Sequence, residues 1–135
     1  MIFNFKREPD SGVIIVSIFI NNIYRFKMIL DTGASYTTID SNMLHLSGYN
    51  LTDSVGTVLI ETANGIIETE IFEIDTFFAL GITQNKFQIQ VYDFVAHGIT
   101  SDYHGLLGLN FFEGTKFCID TVNNQLSIDL IKKST

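Results

Sequence analysis

One short segment of the chain joins residue types that can break bonds. Met28-Ile29-Leu30-Asp31-Thr32-Gly33-Ala34-Ser35 runs from an apolar strand into a carboxylate, a hydroxyl and a glycine. The apolar stretch anchors a loop that presents Asp31 beyond a sheet. The Thr32 hydroxyl can bond backbone rather than substrate. Gly33 permits a sharp turn and the close approach of another backbone. Two such carboxylates side by side do not both ionise easily, so they share a proton. The charged one takes a proton from water, and the neutral one donates to a scissile carbonyl. The chemistry on offer is hydrolysis of an amide by activated water. Taken alone, Asp31-Thr32-Gly33 also suits a plain β-turn, for which Asp and Gly are favoured.

The surrounding pattern is mostly β. Residues 13–20 are rich in branched side chains and read as a buried strand. Asn21-Asn22 supplies the positive φ of a tight turn, and residues 23–30 return. Tyr24, Phe26, Met28 and Leu30 share one face of that return strand, opposite Arg25 and Lys27. Residues 55–61 and 66–74 flank Asn64-Gly65, the strongest hairpin signal in the chain. Phe87, Ile89 and Val91 alternate with Gln88 and Gln90, as in a half-buried strand. Residues 117–122 and 125–131 flank Asn123-Asn124 as a last hairpin. A short helix is expected after Asp40 or Ser41, capped by one of them and stopped at Gly48. A single helical turn is expected near Asn110, with Phe111 and Phe112 packing inward. The predicted class is all-β, a small closed barrel-like structure with one or two short helices.

A second segment, Gly105-Leu106-Leu107-Gly108-Leu109-Asn110-Phe111-Phe112, reads as a buried strand, a closely packed glycine and a capped turn. Together the two segments resemble the retropepsin-like aspartic proteases, single-domain relatives of pepsin. In that family an apolar-apolar-Asp-Thr-Gly-Ala loop is backed by an apolar-apolar-Gly strand. Here these are residues 29–34 and Leu106-Leu107-Gly108. The family's flap hairpin falls at Thr62-Ala63-Asn64-Gly65, and the closing Phe-x-Ile-Asp hairpin of bacterial members is matched by residues 117–120. Asn110 departs from the Asp common at that place, and Asn caps a helix nearly as well.

The resemblance implies the acid-protease fold over residues 13–131, with 1–12 as an N-terminal extension and 132–135 as a tail. It also implies an aspartic endopeptidase acting as a homodimer, with Asp31 of each chain forming the dyad. Thr32 would grip the partner's loop, and Gly33 and Ala34 would line the cleft floor. Ala63, Asn64 and Gly65 would form the flap tip over a peptide bound as an extended strand. No cofactor or metal is implied. Ala34 stands where many acid-acting relatives carry Ser, which points to activity in weakly acidic to near-neutral conditions. The alternative is a catalytically silent dimeric module with the same fold that binds peptides.

Composition narrows the remaining classes. The chain has 135 residues, 46% of them hydrophobic, and one Pro, which is a single ordered domain. Its net charge of -7 repels a phosphate backbone, so no nucleic-acid partner is expected. The longest apolar run is far too short to span a bilayer, and the first residues lack a signal-peptide pattern, so a cytoplasmic location is expected. Cys118 is the only cysteine, which excludes an internal disulfide and a Cys-based zinc site. It lies in a predicted strand and reads as inert and structural. His97, Asp102 and His104 fit no standard zinc spacing and read as solvated loop residues. Asp120-Thr121 is followed by Val122 rather than Gly, so Asp120 reads as a solvated or turn-bonded side chain. Glu61, Glu68, Glu70 and Glu73 read as a solvated face of the flap hairpin.

Overall fold

A computed structural model describes residues 1–62, 65–94, 96 and 103–131, with the side chain of Thr62 excepted. Eleven strands, a short α-helix and one 3-10 turn follow in order. They are β1 (Ile2–Asn4), β2 (Lys6–Arg7), β3 (Ile14–Ile20), β4 (Tyr24–Leu30), β5 (Thr38–Asp40), α1 (Ser41–Leu46), β6 (Gly56–Thr62), β7 (Gly65–Ala79), β8 (Ile82–Tyr92), β9 (Gly105–Leu107), the 3-10 turn Leu109–Phe112, β10 (Thr115–Asp120) and β11 (Gln125–Leu130).

The main sheet runs β2-β3-β4-β9-β5-β8-β7-β6, and a further pairing of β3 with β7 closes it. The ring β3-β4-β9-β5-β8-β7 is thus a six-stranded barrel, with β2 and β6 projecting from it. Closure removes the open edges that a small sheet would otherwise expose. The seam is short, with Ile18 opposite Ala79, Phe19 opposite Phe78 and Ile20 opposite Phe77. A separate three-stranded sheet, β1-β11-β10, carries both ends of the described chain.

The period-two rule explains the filling. Val16, Ile18 and Ile20 of β3 and Phe26 and Met28 of β4 point into the barrel and are buried. Ile15, Ser17 and Phe19 lie half-buried on the outer face, so β3 alternates rather than being buried on both sides as its composition suggested. Asn21 and Asn22, at φ 53° and 57°, make the expected tight turn. An aromatic column fills the far end. Phe77 lies 4.8 Å from Phe87 and 5.6 Å from Phe111, ring centre to ring centre. Phe112 stacks on Phe117 at 4.2 Å. Phe111 and Phe112 therefore pin the 3-10 turn to the core, as expected.

Four local expectations change. Asp40 stands at the N-cap of α1, but its side chain makes no capping bond. Asp40 belongs to β5 and is buried, and its Oδ1 accepts from the Phe94 N–H at 3.2 Å instead. Gly48, at φ 91°, ends the helix as expected. The turn at Leu109–Phe112 has Gly108 at its N-cap, so Asn110 caps nothing. Cys118 is exposed on the outer face of β10, where it sits opposite Ser127. Gln90 is buried, contrary to the alternation, with its amide bonded to side chains of both flanking strands, Thr38 of β5 and Thr69 of β7. Asp120 is turn-bonded as read: its carboxylate accepts from the Val122 and Asn123 N–H groups, both at 2.9 Å, and from Asn123 Nδ2.

Candidate active site

β4 delivers Asp31 to the end of the barrel. Its last two residues pair with β9 in parallel, Ile29 with Leu106 and Leu30 with Leu107. The Asp31 N–H continues that ladder by donating to the Leu107 carbonyl at 2.9 Å. On its other side β9 pairs antiparallel with β5, Leu106 with Thr38 and Gly105 with Ile39. The backing strand is thus threaded between two strands that flank the Asp31 loop in sequence. Such close threading requires small residues. A Cβ on Gly108 would lie 2.6 Å from the Tyr36 carbonyl carbon and oxygen and 2.8 Å from the Ala34 carbonyl oxygen. A Cβ on Gly105 would meet the Thr38 carbonyl oxygen in the same way.

The loop itself is a tight turn. Asp31 Oδ1 accepts from the Gly33 N–H at 3.0 Å, and the Ala34 N–H donates to the Asp31 carbonyl at 3.2 Å. Gly33 is not at positive φ. The nearest neighbour of a Cβ placed on it would be Asp31 Oδ1, at 3.3 Å. Its value within one chain is therefore to leave room beside the carboxylate. Thr32 is exposed, and no hydrogen bond engages its side chain among the described residues.

A polar lock holds this loop against the 3-10 turn. Asn110 Oδ1 accepts from both the Thr37 N–H and the Thr37 hydroxyl, each at 2.8 Å. The same hydroxyl oxygen accepts from the Gly108 N–H at 3.1 Å. Asn110 Nδ2 donates to the Gln88 carbonyl at 2.8 Å. The Leu109 and Asn110 N–H groups donate to the Ala34 and Ser35 carbonyls. Three chain segments, at residues 34–37, at Gln88 and at residues 108–110, meet at one amide and one hydroxyl. The sequence reading placed Asn110 here in another role and missed Thr37. A buried hydroxyl beside a motif leaves no periodic trace.

Asp31 is half-buried and opens into a cleft of about 500 Å³. Gly33 and Ala34 border it on one side, and Leu59, Ile60 and Glu61 of β6 face them across it. An adjoining cavity of about 280 Å³ shares Thr38, Ile60, Gln90 and Leu106 with the cleft. Ile29, Ile67 and Phe94 complete walls that are almost wholly apolar. Gln90 sits in that lining with its amide engaged: Nε2 donates to Thr38 Oγ1 at 2.7 Å, and Oε1 accepts from Thr69 Oγ1 at 3.2 Å.

Of the expected site residues, the fold brings Asp31, Gly33, Ala34 and Leu106 to the cleft. Leu107 and Gly108 are buried behind it. Gly65 ends the hairpin at φ 118°, while Ala63 and Asn64 lie outside the described residues. His97 and Asp102 also lie outside them. His104 is half-buried, with its ring edge on Phe26 and its Nδ1 buried without a partner. Among the described residues no cluster of metal-ligating side chains forms.

A model of the aspartyl protease family matches residues 16–111. The chain is also similar to the crystal structure of a retropepsin-like aspartic protease from Rickettsia conorii. The two are 24% identical, with a TM-score of 0.65 over 93% of this chain and 87% of the other. That likeness extends over the barrel, the backing strand and the terminal hairpin, so the fold is retropepsin-like. A comparison with curated proteins gave no match.

Proposed function

We propose a peptide-hydrolysing activity from one premise: the chain belongs to the aspartyl protease family. In this reading it is an aspartic endopeptidase whose dyad is Asp31 from each of two copies. The observation that carries it is the placement of Asp31. A half-buried carboxylate sits at the end of a strand, fixed through its own N–H to the backing strand, and faces a peptide-sized cleft roofed by β6. This sequence contains Asp-Thr-Gly once, and in this reading a second copy supplies the other loop of the pair.

The chemistry follows from two carboxylates sharing one proton. The ionised Asp31 removes a proton from a water held between the pair, and that water attacks the scissile carbonyl carbon. The protonated Asp31 of the other copy donates to the carbonyl oxygen, giving a gem-diol. Collapse of the gem-diol breaks the C–N bond as a proton passes to the leaving amine. The exposed Thr32 hydroxyl is free to bond the partner's loop and set the spacing of the pair. The peptide binds as an added strand beneath the β6–β7 hairpin, with one apolar side chain in the 280 Å³ cavity.

Cleavage of a mixed peptide library by the purified chain tests this reading. Activity that is lost in Asp31→Asn and blocked by a statine-type mimic is expected, together with a dimer in sedimentation. Cleavage that survives Asp31→Asn would refute the mechanism. A stable dimer that binds peptides but cuts none would identify the silent module instead.

A further inference from the structure

A second groove lies on the outer face of the barrel, away from the cleft. It measures about 610 Å³ and runs between the N-terminal strands and the outer side of β3, β4 and β7. Lys6, Arg25 and Lys27 line it, together with Phe3, Phe5 and Phe78. The chain has only eight Lys and Arg against fifteen Asp and Glu, so three cations in one groove is a concentration against the overall charge. Among the described residues no Asp or Glu lines this groove. Nor does any ion pair engage the three cations. Arg25 donates only to the Ser17 hydroxyl, at 3.1 Å.

The register explains why no acid intrudes. On the outer face Lys27 sits opposite Ser17, and Arg25 opposite Phe19. Phe19 in turn sits opposite Phe78, with ring centres 6.3 Å apart. Lys6 alone would be a charge guarding the sheet's edge strand. Arg25 and Lys27 lie on β4 beside β3, and β9 joins β4 only farther along, at Ile29 and Leu30. Lys27 is four residues before Asp31, about 13 Å along the strand.

We propose that this groove binds an acidic segment of a polypeptide, with its carboxylates on Lys6, Arg25 and Lys27 and its intervening apolar side chains on Phe3 and Phe78. Charge complementarity selects the occupant, since three cations without an ion pair among the described residues gather in one groove of a chain whose net charge is -7. The aromatic walls favour a peptide whose apolar side chains alternate with its carboxylates over a phosphodiester chain, and the net charge of -7 repels either anion at longer range. The site goes beyond the peptidase reading and does not depend on cleavage.

The test is fluorescence anisotropy with a labelled octapeptide that alternates Glu with Phe or Leu. It uses the full chain carrying Asp31→Asn, so that the probe stays intact. Saturable binding is expected, weakening as NaCl is raised. Arg25→Gln with Lys27→Gln should weaken it about ten-fold, at up to about one exposed ion pair each. The charge-matched pair Lys86→Gln with Lys116→Gln should leave it within about two-fold. Absence of saturable binding by the parent chain would overturn the proposal. So would equal loss in the two double variants, or binding of a dT oligonucleotide at these residues in place of the peptide. If the groove variant fails to fold, binding by the parent chain that ignores NaCl is the overturning result.

Discussion

Asn110 Oδ1 accepts both the N–H and the hydroxyl proton of Thr37, at 2.8 Å each, across 73 residues of sequence. This pair ties the segment after Asp31 to the turn after the backing strand. Replacing Asn110 with Ala leaves two donors of the buried Thr37 without their partner. The expected loss is about 2 kcal/mol, read from chemical denaturation. Asn110→Asp still accepts both donors but sets an acceptor oxygen against the Gln88 carbonyl, so it should fall between the parent and Asn110→Ala.

Gly108→Ala should be far more damaging than its single methyl suggests. Its Cβ would stand 2.6 Å from the backbone at Tyr36, and backbone has no rotamer to yield. The expected cost exceeds about 3 kcal/mol, seen as loss of soluble folded protein or a collapse in Tm. Gly114→Ala is the comparison. A Cβ there meets nothing within 4 Å, so its cost reflects only the positive φ of 75° and should be about 1 kcal/mol.

Thr32→Ala separates assembly from folding. The side chain is exposed and unbonded among the described residues of one chain, so the stability of the monomer at high dilution should change by less than about 0.5 kcal/mol. Sedimentation equilibrium should show a weaker dimer, and activity should fall most at low protein concentration. An unchanged dimer constant would remove Thr32 from the interface.

Asp120 predicts a pH dependence. The Asn123 N–H, then the Asn123 side chain and the Val122 N–H, hold its carboxyl below the usual 3.8, against an opposing effect of desolvation. A lowered folded-state pKa contributes stability that is fully present above 3.8 and fades as pH drops through the lower folded-state value. Asp120→Ala should therefore be less stable than the parent at about pH 6, with the gap closing toward about pH 2. A thermal melt series on both proteins measures it. A gap that stays constant would mean that the turn does not depend on the ionised carboxylate.

Much of this was legible in the chain itself. The Asn21-Asn22 turn, the hairpin ending at Gly65 and the inward Phe111-Phe112 pair each follow from local chemistry: positive φ, turn residues and apolar placement. The strand-loop-strand placement of Asp31 and Leu106-Leu107-Gly108 was readable because close packing leaves glycine as the one residue that fits. Tertiary cover was not readable. Gln90 looks like a solvent-facing partner of Ile89 until Thr38 and Thr69, from two other strands, close over it. Cys118 looks like core by type, yet the small terminal sheet has one face to solvent. Asp40 has cap chemistry, but burial on β5 turns its carboxylate toward Phe94. For Gln90 and Asp40 the deciding neighbour is remote in sequence.

The fifteen residues of β7 have one further consequence. Its first part pairs with β6, and from Ile71 onward it pairs with β8 and then with the barrel seam. The hairpin above the cleft is therefore a cantilever rooted in the barrel wall at Ile71, opposite Gln90. From that root to Gly65 the arm is about 20 Å long. A flex of about 10° at the root would carry Gly65 about 4 Å, enough to admit or trap an extended chain. The stiffness of that root, set by Thr69, Gln90 and Thr38, is thus a mechanical setting for how readily the cleft opens.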